Sequence, residues 1–324
     1  MNRLLWVEDL SGHIDTPKGR LHILNGVSFC VHENECFGII GESGSGKTMT
    51  ALSVLRYAER LGFQIDAGAI VFEGEDVLGF NKRRLLHYNG GRVAVIPQDP
   101  MTSLDPLFTA ESQLVETLRT HKKLTVKQAK AQAYAIAEKM RIAPEKLKCY
   151  PFQLSGGMLQ RIVGAAAIAC HPKMIIADEP TTALDVTVQL QYLKLLRDIQ
   201  DEYGAAIVFI SHDMHAVSMI CDRIAVMYAG RIVECASKNG LLRNPRHPYT
   251  RALIRSANLS GEVRGKYDTI DGVPPDPLAK PVGCSFADRC PHSMPRCFAE
   301  TPPKTTRDDH EVCCWACQKD ESKT

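Results

Sequence analysis

The stretch Gly41-Glu42-Ser43-Gly44-Ser45-Gly46-Lys47-Thr48 decides how the rest of this chain is read. Two glycines five apart, followed by lysine and a hydroxyl residue, form the phosphate-binding loop pattern. The apolar run Cys36-Phe37-Gly38-Ile39-Ile40 leads into it as a buried strand. Lys47 to Tyr57, with Ala51, Leu52, Val54 and Leu55, follows as a helix. Glycines let successive backbone N–H groups turn inward on an anion, and the helix start adds partial positive charge. Lys47 is then placed to reach the β- and γ-phosphates of a nucleotide, and the Thr48 hydroxyl to hold Mg²⁺. The bland alternative is a Gly/Ser turn before an ordinary helix, and the strand ahead of the loop speaks against it.

Working outward, 324 residues leave room for one large domain plus an appendage, or two modest domains. The 44% hydrophobic content supports a sizeable core. Lys and Arg number 39 against 37 Asp and Glu, a formal charge of +2, where a nucleic-acid binder more often has a clear basic excess. No run of eighteen apolar residues is present to span a bilayer. The start, Met1-Asn2-Arg3-Leu4-Leu5-Trp6-Val7-Glu8-Asp9, is too short and too soon acidic for a secretory signal, so a cytosolic chain is expected.

Secondary-structure patterns alternate around the loop. Residues 1–34 read as short strands joined by turns, and 68–74 and 92–98 as further strands. Between about 107 and 171 the pattern is helical, with Val126, Ala129, Ala133, Ile136, Ala137 and Met140 at helical spacing. Strands return at 173–178 and 205–211, around a helix over 185–203 with Val186, Leu190, Leu193, Leu196 and Ile199 on one stripe. This alternation predicts an α/β fold with a mainly parallel sheet and a helical insertion. After Arg231-Ile232-Val233-Glu234-Cys235 the sheet pattern fades and proline-rich segments take over, which sets a boundary near 240. Six of the twelve cysteines, scattered through the first 283 residues, read as reduced core fillers. The other six (Cys284, Cys290, Cys297, Cys313, Cys314, Cys317) crowd the last 41 residues and mark a separate module.

Later stretches narrow the class. Met174-Ile175-Ile176-Ala177 is an apolar strand ending in Asp178, suited to hold Mg²⁺ through water, and Glu179, suited to polarise an attacking water. Solvated acids at a strand end are the plainer alternative. Gln153-Leu154-Ser155-Gly156-Gly157-Met158-Leu159-Gln160-Arg161 opens a second helix, with Ser155 in the N-cap position. Glycines just inside a helix start cost helix propensity but leave N–H groups open to an anion. The chain thus carries two helix starts suited to phosphate.

In that motif order, residues 1 to about 240 resemble the ATP-binding cassette (ABC) family. The resemblance implies a RecA-like core with an antiparallel β subdomain and a helical subdomain at about 99–172. It implies that Ser155, Gly156 and Gly157 serve the ATP held by a partner's phosphate loop in a head-to-tail dimer. Gln98 matches the glutamine loop that contacts Mg²⁺ or water and senses the membrane partner. Ala183-Leu184-Asp185 matches the interface-crossing loop, and His212 the histidine that contacts the γ-phosphate. By the same resemblance Gly41, Ser43, Gly44, Ser45, Gly46, Lys47 and Thr48 bind nucleotide. One feature departs: where the family has an aromatic residue for adenine to stack on, this chain has His13 and Ile14, leaving His13 or His22 as substitutes.

Residues 241–324 form the expected extension. Asn244-Pro245-Arg246-His247-Pro248-Tyr249-Thr250-Arg251 resembles a segment of peptide and nickel importer ATPases, and the tail that follows is similar to that of di- and oligopeptide importers. Cys284, Cys290, Cys297 and Cys314 stand at C-x5-C-x6-C-x16-C, a set that suits an iron–sulfur cluster or tetrahedral Zn²⁺. Some family members carry a [4Fe–4S] cluster here, so the cluster ranks ahead of zinc and of plain reduced cysteines, with Cys313 and Cys317 as runner-up ligands. A dithiol role for Cys314 and Cys317 lacks a framing strand or helix. The expected role is to pin the tail to the ATPase body.

The resemblance implies a cytosolic ATPase subunit on the inner membrane of a bacterial importer. ATP closes a dimer, a movement passed to two membrane-spanning permease subunits near Gln98 and Pro100–Pro106, and Glu179 and His212 line up water. An extracytoplasmic binding protein selects cargo. Met158, where many partner subunits have Gln, implies a heterodimer. The Ser155–Arg161 segment also resembles the nickel branch, while the long tail favours peptides. A soluble cassette ATPase acting on nucleic acid would call for tandem cassettes, coiled coils or basic arms. A phosphate-loop kinase would call for an acceptor domain.

Overall fold

A computed structural model of the chain describes residues 2–182, 184–257, 270–280 and 282–318. Ala183 of the interface-crossing loop, Pro281 ahead of the first tail cysteine, and the last six residues of the extension lie outside the described residues. In chain order the strands are β1 (Arg3–Thr16), β2 (Gly19–His32), β3 (Cys36–Ile40), β4 (Phe63–Phe72), β5 (Glu75–Asp76), β6 (Val93–Ile96), β7 (Met174–Asp178), β8 (Ala206–Ser211), β9 (Arg223–Tyr228), β10 (Arg231–Ser237), β11 (Thr305–Arg307) and β12 (His310–Val312). The chain divides into two compact units. One comprises residues 3–31, 36–78 and the described part of 211–324; the other comprises 2, 32–35 and the described part of 79–210.

The first unit holds the phosphate loop. Four strands in the order β2-β1-β4-β5 form one sheet, with β1 antiparallel to β4 from Leu5 opposite Phe72 to Ile14 opposite Phe63. The short strands expected at the N-terminus are in fact two strands of fourteen residues each. A bulge in β1 between Glu8 and Gly12 breaks the alternation that would have revealed its length. Beside β3 runs β9 in parallel, then β10, β12 and β11, each antiparallel to the last. All five residues of β3 are buried, as suits a strand covered on both faces.

The tail therefore extends a sheet where the sequence pattern predicted none. Strands of three residues are too short for alternation to register.

The second unit carries the parallel strands β8, β7 and β6, in that order, with Met174 opposite both Val93 and Ala206. Its helices run over Ala110–Lys122, Val126–Lys139, Gly156–Ile168 and Val186–Tyr203. Thr125 and Gln128 close a capping box at the second of these. Ala129, Ala133, Ile136, Ala137 and Met140 are buried as expected, but Val126 at the first turn is exposed. Along Val186–Tyr203 the expected stripe splits: Leu193, Leu196 and Ile199 are buried, while Val186 is 73% and Leu190 44% exposed. No helix among the described residues is long and apolar enough to cross a membrane.

Candidate functional site

The phosphate loop is fixed by close packing rather than by side-chain capping. A Cβ on Gly41 would lie 2.1 Å from the carbonyl oxygen of Met227 in β9, so only glycine fits there. Gly46, the N-cap of the helix Lys47–Val54, takes φ +103°, and its side-chain direction is filled by Met227 and Leu24. The Ser45 carbonyl accepts from Gly230 N–H at 2.8 Å. Lys47 is only 5% exposed, and its Nζ donates to the carbonyls of Gly41 (2.8 Å) and Glu42 (2.9 Å), which draws the ammonium over the loop. Ser45 Oγ is buried without a hydrogen-bond partner, a polar atom suited to meet an anion. Ser43, Gly44 and Thr48 are exposed.

Tail residues hold this loop from behind; Tyr249 belongs to the Asn244–Arg251 segment quoted above, whereas Arg289 was not singled out in the sequence. Arg289, between Cys284 and Cys290, is buried and forks onto Glu42: Nη1 to Oε2 at 2.7 Å and Nη2 to Oε1 at 3.1 Å. This bond raises the Arg289 pKa still further. The phenol of Tyr249 accepts from Glu42 N–H at 2.9 Å, and Tyr249 packs on Tyr228 and Phe286. Glu234 lies buried in β10, opposite Val312 of β12. It accepts from His310 Nε2 (2.6 Å), Arg246 N–H (2.7 Å) and His247 N–H (2.9 Å). Burial alone would raise its pKa, but these hydrogen bonds outweigh burial and leave it lowered. These contacts, rather than the cysteine set expected to do so, pin the tail to the loop unit. No sequence signal marks Arg289 or Glu234, because their partners lie 247 and 76 positions away.

In the other unit, Asp178 is buried at the end of β7, and Glu179 follows with φ +46°. A left-handed non-glycine residue costs about 1–3 kcal/mol and is kept where surroundings demand it. Glu179 N–H donates to Ile210 C=O at 2.9 Å, while its Oε2 accepts from Gln98 Nε2 (3.3 Å) and Thr182 Oγ1 (3.1 Å). Gln98 and Glu179, expected in one site, are thus joined. Ser155 is the N-cap residue of Gly156–Ile168, but its hydroxyl makes no capping bond. Ser155 and Gly156 are not buried, nothing among the described residues beyond the neighbouring helix turn lies within 4 Å of a Cβ on Gly156, and Gly157 abuts Val188. Asp185 caps Val186–Tyr203 by accepting from Val188 N–H. His212, in the loop unit, is exposed directly after β8, between Ser211 and Asp213, whose Oγ and N–H are bonded at 2.9 Å.

His13 is buried against Asp66, Nδ1 to Oδ2 at 2.9 Å, which removes it as a base-stacking platform. In the tail, burial pushes the Cys284 thiol up to about 11, with Cys297, Cys314 and Cys290 near enough to add to the rise. Even so, among the described residues no three His, Cys, Asp or Glu side chains are placed to hold a metal ion. The tetrahedral thiolate set expected for zinc is not assembled. Cys314 hydrogen-bonds instead with Cys317, which lowers the Cys314 pKa. A strand (β12) and a short helix, Trp315–Gln318, do frame that pair, contrary to expectation; both are too short to announce themselves in the sequence. Mg²⁺ needs no such cluster, since it keeps water and phosphate oxygens beside one or two protein groups.

A parallel strand that feeds a phosphate loop, in an α/β chain, marks a nucleotide-binding protein of the phosphate-loop class. Residues 24–182 match the family model described as ABC transporter, and residues 233–297 that of the oligopeptide/dipeptide transporter C-terminal region. A probable peptide ABC transporter ATP-binding protein of Sinorhizobium fredii, y4tR, is 43% identical over 318 residues, 96% of this chain and 94% of that protein. The dipeptide transport ATP-binding protein DppD of Bacillus subtilis is 39% identical over 318 residues, 97% and 95% of the two chains. The probable D,D-dipeptide transport ATP-binding protein DdpD of Escherichia coli is 42% identical over 315 residues, 95% of each. Among solved structures, the dimeric cassette MJ0796 bound to ADP and phosphate superposes with a TM-score of 0.65. It covers 72% of this chain and 99% of that one at 22% identity, a likeness of fold. The chain belongs to the ATP-binding cassette transporter family, as an ATPase carrying the oligopeptide/dipeptide-type C-terminal region.

Proposed function

We propose that this chain is the ATP-hydrolysing subunit of a bacterial importer of di- and oligopeptides. The observation that carries this reading is near-full-length similarity, tail included, to proteins named for peptide transport. Gly41 to Thr48 bind the phosphates; Lys47 neutralises their charge, and Thr48, Gln98 and Asp178 hold Mg²⁺. Held there, Mg²⁺ would screen the charge that develops on the transferred phosphoryl group. Glu179 takes a proton from the attacking water, with Gln98 and Thr182 fixing its carboxylate, and His212 meets the γ-phosphate.

Ser155, Gly156 and Gly157 serve the nucleotide of a second cassette subunit, a different one if Met158 marks a heterodimer. The uncapped Ser155 hydroxyl and the exposed Val186 and Leu190 support a partner on that face. Two membrane permeases dock on Pro100–Pro106 and its surroundings, where Met101 is 50%, Leu107 78% and Phe108 54% exposed, at the cytoplasmic face of the inner membrane. An extracytoplasmic binding protein delivers cargo. Uptake of peptides against nickel in a deletion strain tests the cargo: lost peptide uptake is expected, and lost nickel uptake alone would move the chain to the metal branch.

For the tail we propose a [4Fe–4S] cluster on Cys284, Cys290, Cys297 and Cys314. Its support is the C-x5-C-x6-C-x16-C spacing of the four cysteines; their thiols do not form a ligand set as placed here, so cluster binding would have to draw them together. Anaerobic purification should yield iron and acid-labile sulfide, both lost in Cys284→Ser. Their absence from the parent protein returns these residues to plain thiols.

A further inference from the structure

A cavity of about 310 Å³ borders the phosphate loop within the loop unit, a size at the lower end of small-molecule sites. One wall comes from β2, with His22 and Ile23, and the floor from Ser43 and Gly44 of the loop. The remaining lining comes from the tail segment 274–279, including Pro274, Pro277 and Ala279. That segment is fastened at both ends. Pro277 C=O accepts from His22 N–H at 2.8 Å. Upstream, Arg289 holds the carbonyls of Ile270 (2.8 Å) and Asp271 (2.9 Å) with the same guanidinium that grips Glu42 of the loop. Between these ties, Asp276 turns the chain by accepting from Leu278 N–H. Three prolines fix much of the backbone in advance, so little ordering cost remains for a ligand.

We infer that the tail segment 274–279 is the outer wall of the nucleoside subsite: the purine of the nucleotide lies between His22–Ile23 and the prolines while its phosphates occupy the loop. This rests on the ATP reading above. It accounts for the missing aromatic platform, since a cavity lined by Ile23, three prolines and Ala279 can cover a flat base as one ring would, and His13 is engaged elsewhere. It also gives the extension a part in binding, beyond fastening.

The test measures two ligands on the full chain: ATP, and tripolyphosphate, which has the phosphates but no nucleoside. Ala279→Phe, which fills the cavity, should weaken ATP about ten-fold, the scale of one lost buried apolar contact, and leave tripolyphosphate within about two-fold. Pro274→Gly with Pro275→Gly should weaken ATP in the same selective way. Unchanged ATP affinity in both variants overturns the inference. So does an equal loss of both ligands, which would make the segment a prop for the loop. Lys47→Ala is the separate control: if it leaves both ligands bound, the phosphate-loop reading fails, whatever the tail variants do.

Discussion

At Gly46–Lys47 the glycine-bearing helix start is enclosed. Its lysine is buried, its carbonyls are tied to Gly230 and to Lys47 itself, and Arg289 and Tyr249 brace Glu42 from outside the loop. At Ser155–Gly157 the second start is open: its serine side chain makes no capping bond, and among the described residues no atom beyond the neighbouring helix turn lies within 4 Å of where a Gly156 side chain would begin. Both offer N–H groups to an anion. The first is closed by packing inside one molecule, whereas the second is left open, as the half-site proposed above requires. Packing makes the difference, for the two stretches are similar in glycine and serine content.

The largest effect that sharpens this contrast should come from Glu179→Gln. Turnover is expected to fall by about 10²–10⁴, the range for losing a general base, with ATP binding retained. Normal turnover measured by phosphate release would take Glu179 out of the mechanism.

Acid should weaken the enclosed start through His247. Burial pushes its pKa down from 6.5 to about 4, although Glu234 nearby works the other way and Arg251 adds to the fall. Neutral His247 caps the helix carrying Tyr249, with Nδ1 accepting from Tyr249 N–H at 3.1 Å. The unfolded chain takes up this proton first, so stability is complete above pH 6.5 and is lost as pH falls toward 4. The loss amounts to roughly 3 kcal/mol, since each tenfold difference in proton affinity between the two states is worth about 1.4 kcal/mol. Chemical denaturation across that window should show a flatter slope for His247→Asn; an identical slope would assign the acid sensitivity elsewhere.

Lys47→Ala should weaken ATP by about 10- to 100-fold, as expected for a charge-assisted bond worth about 1.5–3 kcal/mol. Equilibrium binding that stays unchanged would break the enclosed-site half of the comparison. The smallest effect concerns the open start. Gly156→Asp places a carboxylate where space is free, so fold and ATP binding by the single chain should hold. Turnover of the assembled transporter should drop by about ten-fold as like charges meet a phosphate. Equal turnover would mean that no second molecule's nucleotide uses this start.

The loop, β3, the strand ending at Asp178 and the long helices were legible because each depends on its own neighbours in sequence, through glycine spacing, apolar runs and helical period. The stripe on Val186–Tyr203 misled in its first two turns. Periodicity reports an apolar face without saying what covers it, and Val186 and Leu190 are left uncovered in the single chain. In the tail, cysteine spacing suggested a metal set, yet spacing along a chain does not bring thiols to ligand distance, and Cys314 is found with Cys317.

What the sequence determined by itself was the chemistry: a phosphate loop, a pair of carboxylates and a second glycine helix start, each a local pattern whose residues act within a few positions of one another. What only the tertiary structure decided was who stands behind them. Arg289 on Glu42, His310 on Glu234 and the proline wall beside Gly44 join residues that are far apart in the chain. Each arises because folding brings a buried charge or an open cavity to the one partner able to satisfy it, a condition that no local pattern records.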